Sequence, residues 1–298
     1  MGVQDHLGYF PADLASEHSV VHRRVRLAEF VQPIFPVFPR RRGRPLPADY
    51  FCPAVLRSGM GKNIQGERTF DTRHRDSSRL YRLELLRQKE KGEPAMMTLL
   101  EKATIIHYHR HRIGEYDNGT VEALGYRGED SQTKRFETLA AVADLNGCSV
   151  LDIGCGHGDL KGFLDARFHG FGYVGIDQMA EFVTQARNLY GQRPSCYFCI
   201  ADFTDADLPQ ADYVFASGVL GYRCEDPGFY FSMIVKMYLA ANKALAFNML
   251  DASRFPPHPL LVGHDAEKVI EFCKRLSPNV RLVRGYLEDD FTVLMYKG

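Results

Sequence analysis

The 298-residue sequence predicts an α/β protein built on a mostly parallel, seven-stranded β-sheet with helices on both faces. Two observations support this fold class. Between residues 149 and 276, short apolar segments typical of strands alternate with longer amphipathic segments typical of helices, which is the pattern of a parallel sheet. The last two predicted strands, 280–286 and 291–296, are separated by only four residues. These two strands must therefore pair as an antiparallel hairpin.

Each element before the hairpin follows from local periodicity. In the helix 179–190, four apolar side chains share a face that we expect to point inward, namely Phe182, Val183, Ala186 and Leu189. The predicted elements are, in order, strand 149–153, helix 159–166, strand 173–176, helix 179–190, strands 195–200 and 213–216, helix 227–240, strand 243–248 and helix 264–276.

Composition divides the chain into three regions. Residues 1–95 are rich in proline and arginine and show little periodicity, so we expect a basic, flexible extension. The first 96 residues carry 17 basic and 11 acidic side chains, whereas the whole chain is balanced at 37 of each. Residues 96–145 contain two predicted cap helices, 97–111 and 131–145. Residues 146–298 contain the alternating strands and helices of the predicted core.

Global features favour a soluble, cytoplasmic protein. No apolar run approaches the ~20 residues needed to span a membrane, and the N-terminus lacks the features of a signal peptide. The balanced charge indicates no polyanionic partner. Cys196 and Cys199 form a C-x-x-C pair, but side chains three apart on a strand point to opposite faces. No second ligand pair is spaced for zinc, so we expect no metal site.

The most informative segment is a strand that ends in a glycine-rich turn. Glycine occupies every second position of this turn, at Gly154, Gly156 and Gly158. Glycine lets the backbone turn tightly and approach a ligand closely. Asp159 follows at the position where the dinucleotide fingerprint G-x-G-x-x-G has its third glycine. A carboxylate at that helix N-terminus would repel a pyrophosphate, so the turn favours a cationic ligand.

Carboxylates also end the next two predicted strands. Asp177 lies 19 residues after Gly158, where an acid can accept hydrogen bonds from ribose hydroxyls. Asp202 ends the third strand and is followed by Phe203, so its carboxylate can accept a hydrogen bond from an adenine amino group while the phenyl ring packs on the base. Three consecutive strands therefore end in groups suited to a positively charged nucleoside.

These segments resemble the motifs of a known enzyme class. Residues 150–158 resemble motif I of the class I S-adenosylmethionine (SAM)-dependent methyltransferases. Residues 173–177, 201–203 and 211–218 resemble, in order, their second-strand motif, third-strand motif and motif IV, and the terminal hairpin resembles their seventh-strand insertion. The resemblance covers about residues 130–298. It implies a Rossmann-like methyltransferase domain that uses SAM and releases S-adenosylhomocysteine.

The resemblance also implies a set of cofactor-binding residues. SAM would be bound by Gly154, Gly156, Asp177 and Asp202, with methyl transfer near residues 217–222. In related enzymes the helix before the core covers the cofactor. Arg135 on that helix is thus a candidate partner for the SAM carboxylate, with a surface ion pair as the alternative. The predicted set is completed by neighbours of the motif residues, namely Asp152, Cys155, Gly158, Gln178, Met179, Ala201, Phe203 and Ser217.

The acceptor side of the predicted site has weaker signals. Tyr222 follows motif IV and is a candidate to reach the transferred methyl group, with simple packing as the alternative. His107 on the first cap helix and Tyr116 shortly after it are candidates to line the acceptor pocket or supply a base. Solvated or packed side chains are the alternative for both. We take Tyr222, His107 and Tyr116 as the candidate catalytic residues.

The chemistry of methyl transfer leaves the acceptor open. Displacement at a sulfonium has a neutral leaving group, so a general base is needed only where the acceptor atom carries a proton. Residues 217–222 differ from the Asn/Asp-Pro-Pro-aromatic motif of enzymes that methylate amino groups of nucleic acids. Three hypotheses remain: transfer to an oxygen or nitrogen atom of a small molecule, RNA- or protein-directed transfer with the basic N-terminal segment as a docking arm, and non-enzymatic binding of SAM or NAD.

Overall fold

The computed structural model describes residues 96–298. The predicted extension, residues 1–95, lies outside the described residues. The helices are α1 (Leu99–Tyr116), α2 (Glu129–Ala140), α3 (Asp159–Asp165), α4 (Ala180–Tyr190), α5 (Phe229–Ala240) and α6 (Ala266–Leu276). The strands are β1 (Ser149–Ile153), β2 (Gly172–Asp177), β3 (Cys196–Ile200), β4 (Ala211–Ala216), β5 (Ala241–Leu250), β6 (Asn279–Arg284) and β7 (Asp290–Tyr296). None of the described helices is long and apolar enough to cross a membrane.

The seven strands form one mixed sheet in the order β3-β2-β1-β4-β5-β7-β6. Strands β1 to β5 are parallel, whereas β7 lies antiparallel between β5 and β6. The predicted mostly parallel sheet with a C-terminal hairpin is therefore confirmed. The hairpin turn begins earlier than predicted: β6 ends at Arg284 because Gly285 has a φ of +87°, which takes the chain out of the strand.

The sheet buries apolar side chains on both faces. The neighbouring β1 residues Val150 and Leu151 pack in different core clusters, as alternation along a strand requires. One cluster contains the buried faces of α5 and α6, and the other contains those of α2, α3 and α4. The predicted arrangement of helices on both faces is confirmed. Cys196 and Cys199 also fall in different clusters, so they do not form a joint ligand pair.

Helix α4 departs from its predicted inward face at one residue. Phe182, Val183 and Ala186 are buried, but Leu189 is 50% exposed, so its predicted inward orientation is wrong. The physical reason lies at the helix end, where Tyr190 takes the contact with the sheet. The Tyr190 ring lies 6.5 Å from the ring of Phe198, between centroids. Tyr190, and not Leu189, therefore contacts the sheet at the end of α4.

The topology places a crevice at the end of β1. The chain leaves β1 toward β2 on one side and later returns to β4 on the other side. Connections that depart in opposite directions leave space above the carboxyl ends of the two strands, and ligands of open α/β sheets bind there. The predicted glycine turn, which follows β1, lies at this switch point.

Two glycines of β2 provide a test of packing in the centre of the sheet. A Cβ on Gly175 would lie 2.8 Å from Phe198 Cδ1 and 2.9 Å from Cys155 Cβ, whereas a Cβ on Gly172 would meet nothing closer than 3.9 Å. We expect Gly175→Ala to lower the free energy of unfolding by about 1–3 kcal/mol through overpacking. Gly172→Ala should change it by less than about 1 kcal/mol. Urea denaturation measures both values, and equal effects of the two substitutions would contradict this packing.

Candidate functional site

A cavity of about 170 Å³ lies at the carboxyl ends of β1, β2 and β4. Residues of α1, α2 and the segment between these helices cover it, and the glycine turn after β1 lines it from the sheet side. The cavity therefore lies where the topology leaves space and where the sequence motifs meet. The predicted cofactor residues that line it are Asp152, Gly154, Cys155, Gly156, Asp177, Gln178, Met179, Asp202, Phe203, Ser217 and Arg135.

The glycine turn has no room for side chains. Gly154 and Gly156 have φ values of +69° and +53°, which only glycine adopts without strain. A Cβ on Gly154 would lie 2.0 Å from Val219 Cγ1, and one on Gly156 would lie 2.7 Å from Leu124 Cδ2. Gly158 does not line the cavity, and a Cβ there would meet the rings of Phe198 and Tyr190 at 3.0 Å. Its predicted contact with the cofactor is therefore not supported, because this glycine faces the sheet.

Asp177 at the end of β2 is held by the turn. Its Oδ2 accepts a hydrogen bond from the Gly156 N–H at 3.0 Å, and its Oδ1 accepts one from the Met179 N–H at 2.8 Å. Burial raises the pKa of Asp177 to about 6, while these backbone hydrogen bonds act in the opposite direction. The carboxylate thus has a fixed orientation at the cavity wall.

Two more carboxyl groups stand beside Asp177. Asp152 is buried and accepts a hydrogen bond from the Tyr173 hydroxyl, while Asp159 accepts one from Gln132 Nε2 at 2.9 Å. Burial, helped by the charges of Asp177 and Asp159 and opposed by the Tyr173 hydrogen bond, raises the pKa of Asp152 to about 7. Burial also raises the pKa of Asp159. Within residues 96–298, none of these three acids forms an ion pair. The cavity wall is therefore suited to a cation.

Asp202 is linked to the cap helix α1. Lys102 Nζ lies 2.8 Å from Asp202 Oδ2, and the Thr204 N–H donates to Asp202 Oδ1 at 2.8 Å. Burial alone would raise the pKa of Asp202, but the hydrogen bonds from Lys102 and Thr204 bring it below its ordinary value. Phe203 lines the cavity next to this ion pair, whereas Ala201 does not line it. Lys102 had no signal in the sequence, because its partner lies 100 residues away.

Arg135 is engaged within the protein. Its Nε and Nη2 bond the two carboxylate oxygens of Asp290, at 3.1 Å for the Nη2 contact, and its guanidinium lies 5.2 Å from the centroid of the Tyr126 ring. The alternative of an ion pair is thus present in the structure, but the pair is buried and not at the surface, because the side chain of Asp290 is only 1% exposed. No described residue forms a hydrogen bond with Arg135 Nη1. This nitrogen lies near the start of the loop after β4, where a Cβ added to Gly218 would be 3.8 Å away.

Two of the three predicted catalytic residues lie outside the cavity. His107 is exposed, and Tyr116 at the end of α1 is 43% exposed. The physical reason is the register of α1, which buries Ile105 and His109, four residues apart, and so turns His107 away. His109 therefore takes the position that we expected for His107. The sequence contained one indication that His109 is the buried histidine, because the apolar Ile105 lies one turn before it.

His109 and Tyr222 form a hydrogen-bonded pair at the cavity wall. His109 Nε2 lies 2.6 Å from the Tyr222 hydroxyl oxygen, and its Nδ1 lies 3.2 Å from the Ala123 carbonyl oxygen. A carbonyl only accepts hydrogen bonds, so Nδ1 carries the proton and Nε2 accepts from the tyrosine. Burial lowers the pKa of His109 to about 4 and raises that of Tyr222, so both groups are neutral at pH 7.

Polar groups that the sequence reasoning missed order the loop after β4. The side-chain oxygen of Asn248 accepts from the Gly218 N–H at 2.8 Å, and the hydroxyls of Tyr126 and Ser217 lie 3.0 Å apart. Asn248 is buried in a strand that otherwise carries mostly apolar side chains, and this is the signal that singles it out. Beyond this loop, the cavity is lined mainly by apolar and aromatic side chains, namely Tyr108, Leu124, Phe229, Met249, Leu250 and Leu261.

Known methyltransferases are similar to this chain in sequence. A family model described as a methyltransferase domain matches residues 151–242. A Mycobacterium tuberculosis protein named "Putative methyltransferase Rv1506c" is 31% identical over 160 residues, which cover 50% of this chain and 93% of that protein. Trans-aconitate 2-methyltransferase from Paracidovorax citrulli is 33% identical over 143 residues, which cover 46% of this chain and 52% of that enzyme.

Solved structures support the fold. Magnesium protoporphyrin IX methyltransferase from Synechocystis, crystallised with bound S-adenosylhomocysteine, aligns with a TM-score of 0.50 at 16% identity over 66% of this chain and all of that one. The DhpI–SAM–HEP complex aligns with a TM-score of 0.51 at 17% identity over 67% of this chain and 99% of that one. The chain belongs to the class I SAM-dependent methyltransferases, and SAM is its methyl donor.

The raised pKa of Asp152 gives a testable pH dependence. Its ordinary value is 3.8 and its value in the folded protein is about 7, so the folded state binds more protons than the unfolded state between these pH values. Asp152 therefore lowers stability as the pH rises through that window. Asp152→Asn cannot ionise and keeps an acceptor for Tyr173. We expect this variant to be more stable than wild type at pH 8, on the order of 1–3 kcal/mol, with the difference shrinking toward pH 4.

Urea denaturation at pH 4, 6 and 8 measures this difference. Asp207→Asn, at an exposed acid, is the matched control and should show no comparable trend. A stability difference for Asp152→Asn that stays constant with pH would contradict the assignment.

Proposed function

We propose that this SAM-dependent methyltransferase acts on an oxygen or nitrogen atom of a small molecule. The observation that carries the proposal is the covered cavity: α1, α2 and the segment between them lie over the carboxyl ends of the strands. An acceptor has to fit beneath these elements to reach the donor. One relative is named for trans-aconitate, which is a small molecule, and this supports the same acceptor class.

The proposed donor position follows from the charges and glycines. The ribose hydroxyls donate to Asp177, and the adenine packs beside Phe203 near Asp202. The methionine part of SAM passes over Gly154 and Gly156, which carry no side chains of their own, beside the side chains of Val219 and Leu124. Its sulfonium and ammonium groups meet the carboxyl groups of Asp152 and Asp159, whose ionised forms they favour.

Arg135 is proposed to contact the carboxylate of SAM through Nη1. The other two nitrogens of its guanidinium are bound to Asp290, which fixes the orientation of the group. A guanidinium held in this way presents its remaining N–H groups in a set direction. The ion pair thus orients Arg135 for the ligand.

The reaction is a displacement at the methyl carbon. A lone pair of the acceptor attacks the carbon, the carbon–sulfur bond breaks, and sulfur keeps the bonding electrons, so S-adenosylhomocysteine leaves with a neutral sulfur. The protein contributes mainly by holding the two reactants in line, which is worth roughly 7–11 kcal/mol in favourable cases.

Donor binding is tested by calorimetric titration of the wild-type chain and two variants. Calorimetric titration should show binding of SAM and S-adenosylhomocysteine, and Asp177→Ala should weaken both by about 10–100-fold through loss of charged hydrogen bonds. Asp207→Ala, at an exposed acid, should bind as wild type does. Binding of NAD alone, or unchanged affinity in Asp177→Ala, would contradict the proposed donor site.

The acceptor class is read from labelled-methyl transfer to separated fractions of a cell extract. We expect label in the small-molecule fraction. Label confined to the RNA or protein fraction would favour the alternative in which the basic N-terminal segment docks a macromolecule, and would overturn the small-molecule proposal.

A further inference from the structure

We propose that His109 and Tyr222 form a proton relay and that the acceptor is a hydroxyl compound, whose proton has to leave during methyl transfer. The inference rests on the proposed function and names the acceptor class more narrowly. Its basis is geometric: both side chains line the cavity, and Tyr222 Oη lies 2.6 Å from His109 Nε2.

The direction of the hydrogen bond makes the pair a proton acceptor. Since Nδ1 of His109 donates to the Ala123 carbonyl, Nε2 carries a lone pair and receives the hydroxyl hydrogen of Tyr222. The oxygen of Tyr222 then has lone pairs free for a second hydrogen bond. An acceptor hydroxyl in the cavity can donate to that oxygen.

The pair is held firmly on both sides. The main-chain carbonyl of Tyr222 accepts from the Tyr230 hydroxyl at 2.9 Å, and Tyr222 forms an isolated antiparallel bridge with Leu261. The His109 ring packs edge-on against the ring of Phe182, with centroids 5.2 Å apart. These contacts hold the main chain of Tyr222 and the ring of His109 next to each other.

The proton balance closes within the pair. As the acceptor oxygen bonds to the methyl carbon and the carbon–sulfur bond breaks, the acceptor proton moves to Tyr222 Oη and the tyrosine proton moves to His109 Nε2. The products are the methyl ether, neutral S-adenosylhomocysteine and an imidazolium. The positive charge leaves sulfur as it arrives on the imidazole, so the total charge of the covered cavity does not change.

Charged and titratable groups around the pair agree with this role. Burial most of all, and then the charges of Arg112 on α1 and His157 after the glycine turn, lower the pKa of His109 and disfavour its charged form in the resting protein. Asp177 contributes negative charge near Tyr222. The imidazole therefore rests neutral and becomes charged only when the sulfonium charge disappears. A carboxylic acid, which is ionised at pH 7, would need no such relay.

The tautomer is tested without knowing the natural acceptor. Long-range proton–nitrogen NMR of the histidine-labelled chain with S-adenosylhomocysteine should show His109 neutral at pH 7, with the proton on Nδ1. A proton on Nε2, or a charged ring at pH 7, would overturn the relay.

The acceptor class is tested with labelled SAM and matched probes: phenol, catechol and benzyl alcohol against benzoic and phenylacetic acids. We expect transfer to hydroxyl compounds. Tyr222→Phe and His109→Gln should each lower kcat by about 10²–10⁴-fold, and the double variant should lose no more than the single ones because the pair acts as a unit. The affinity for SAM should stay within about twofold, which separates failure of the relay from failure of donor binding.

Tyr197→Phe and His169→Gln, at exposed positions, are the controls and should keep wild-type rates. SAM binding with transfer to the acids alone, or with no transfer to any hydroxyl probe, would overturn the assignment. Independent, additive losses in the two single variants would equally contradict a relay. Melting temperatures close to wild type establish that the variants are folded.

Discussion

The site depends on one electrostatic constraint: the carboxyl groups of Asp152, Asp159 and Asp177 are gathered around the carboxyl ends of β1 and β2 with no basic partner among the described residues. Burying ionised carboxylates without a counter-charge is costly, and the raised pKa values of Asp152 and Asp177 express that cost. A cationic ligand relieves it. The fold thus carries a local destabilisation at the place where we propose that the methyl donor binds.

The cap helices complete the site by bonding across to the core. Lys102 on α1 pairs with Asp202, Arg135 on α2 pairs with Asp290, and His109 on α1 bonds Tyr222. These contacts lie at three different points around the cavity. The cap therefore contributes a side chain to each of the three places where we propose that the adenine, the carboxylate of SAM and the acceptor lie.

Much of the fold was predictable because strands and glycine turns leave local signals. The turn at Gly154 and Gly156 and the acids Asp152 and Asp177 follow from residues within a few positions of each other. The pairing of Arg135 with Asp290 was not predictable, since 155 residues separate them and only the insertion of β7 beside β5 brings Asp290 inward. The prediction that His107 on α1 faces the cavity was wrong for a related physical reason. The helix has weak amphipathic character, so its sequence does not strongly favour His109 over His107 as the buried residue.

The central claim is that the carboxyl groups around the glycine turn form the binding site for the cationic donor. A crystal structure of the complex with SAM tests it most directly. We expect the ribose hydroxyls within hydrogen-bonding distance of Asp177, the methionine part over Gly154 and Gly156, and the methyl group directed toward Tyr222. SAM bound at another surface, with the cavity left empty, would contradict the account.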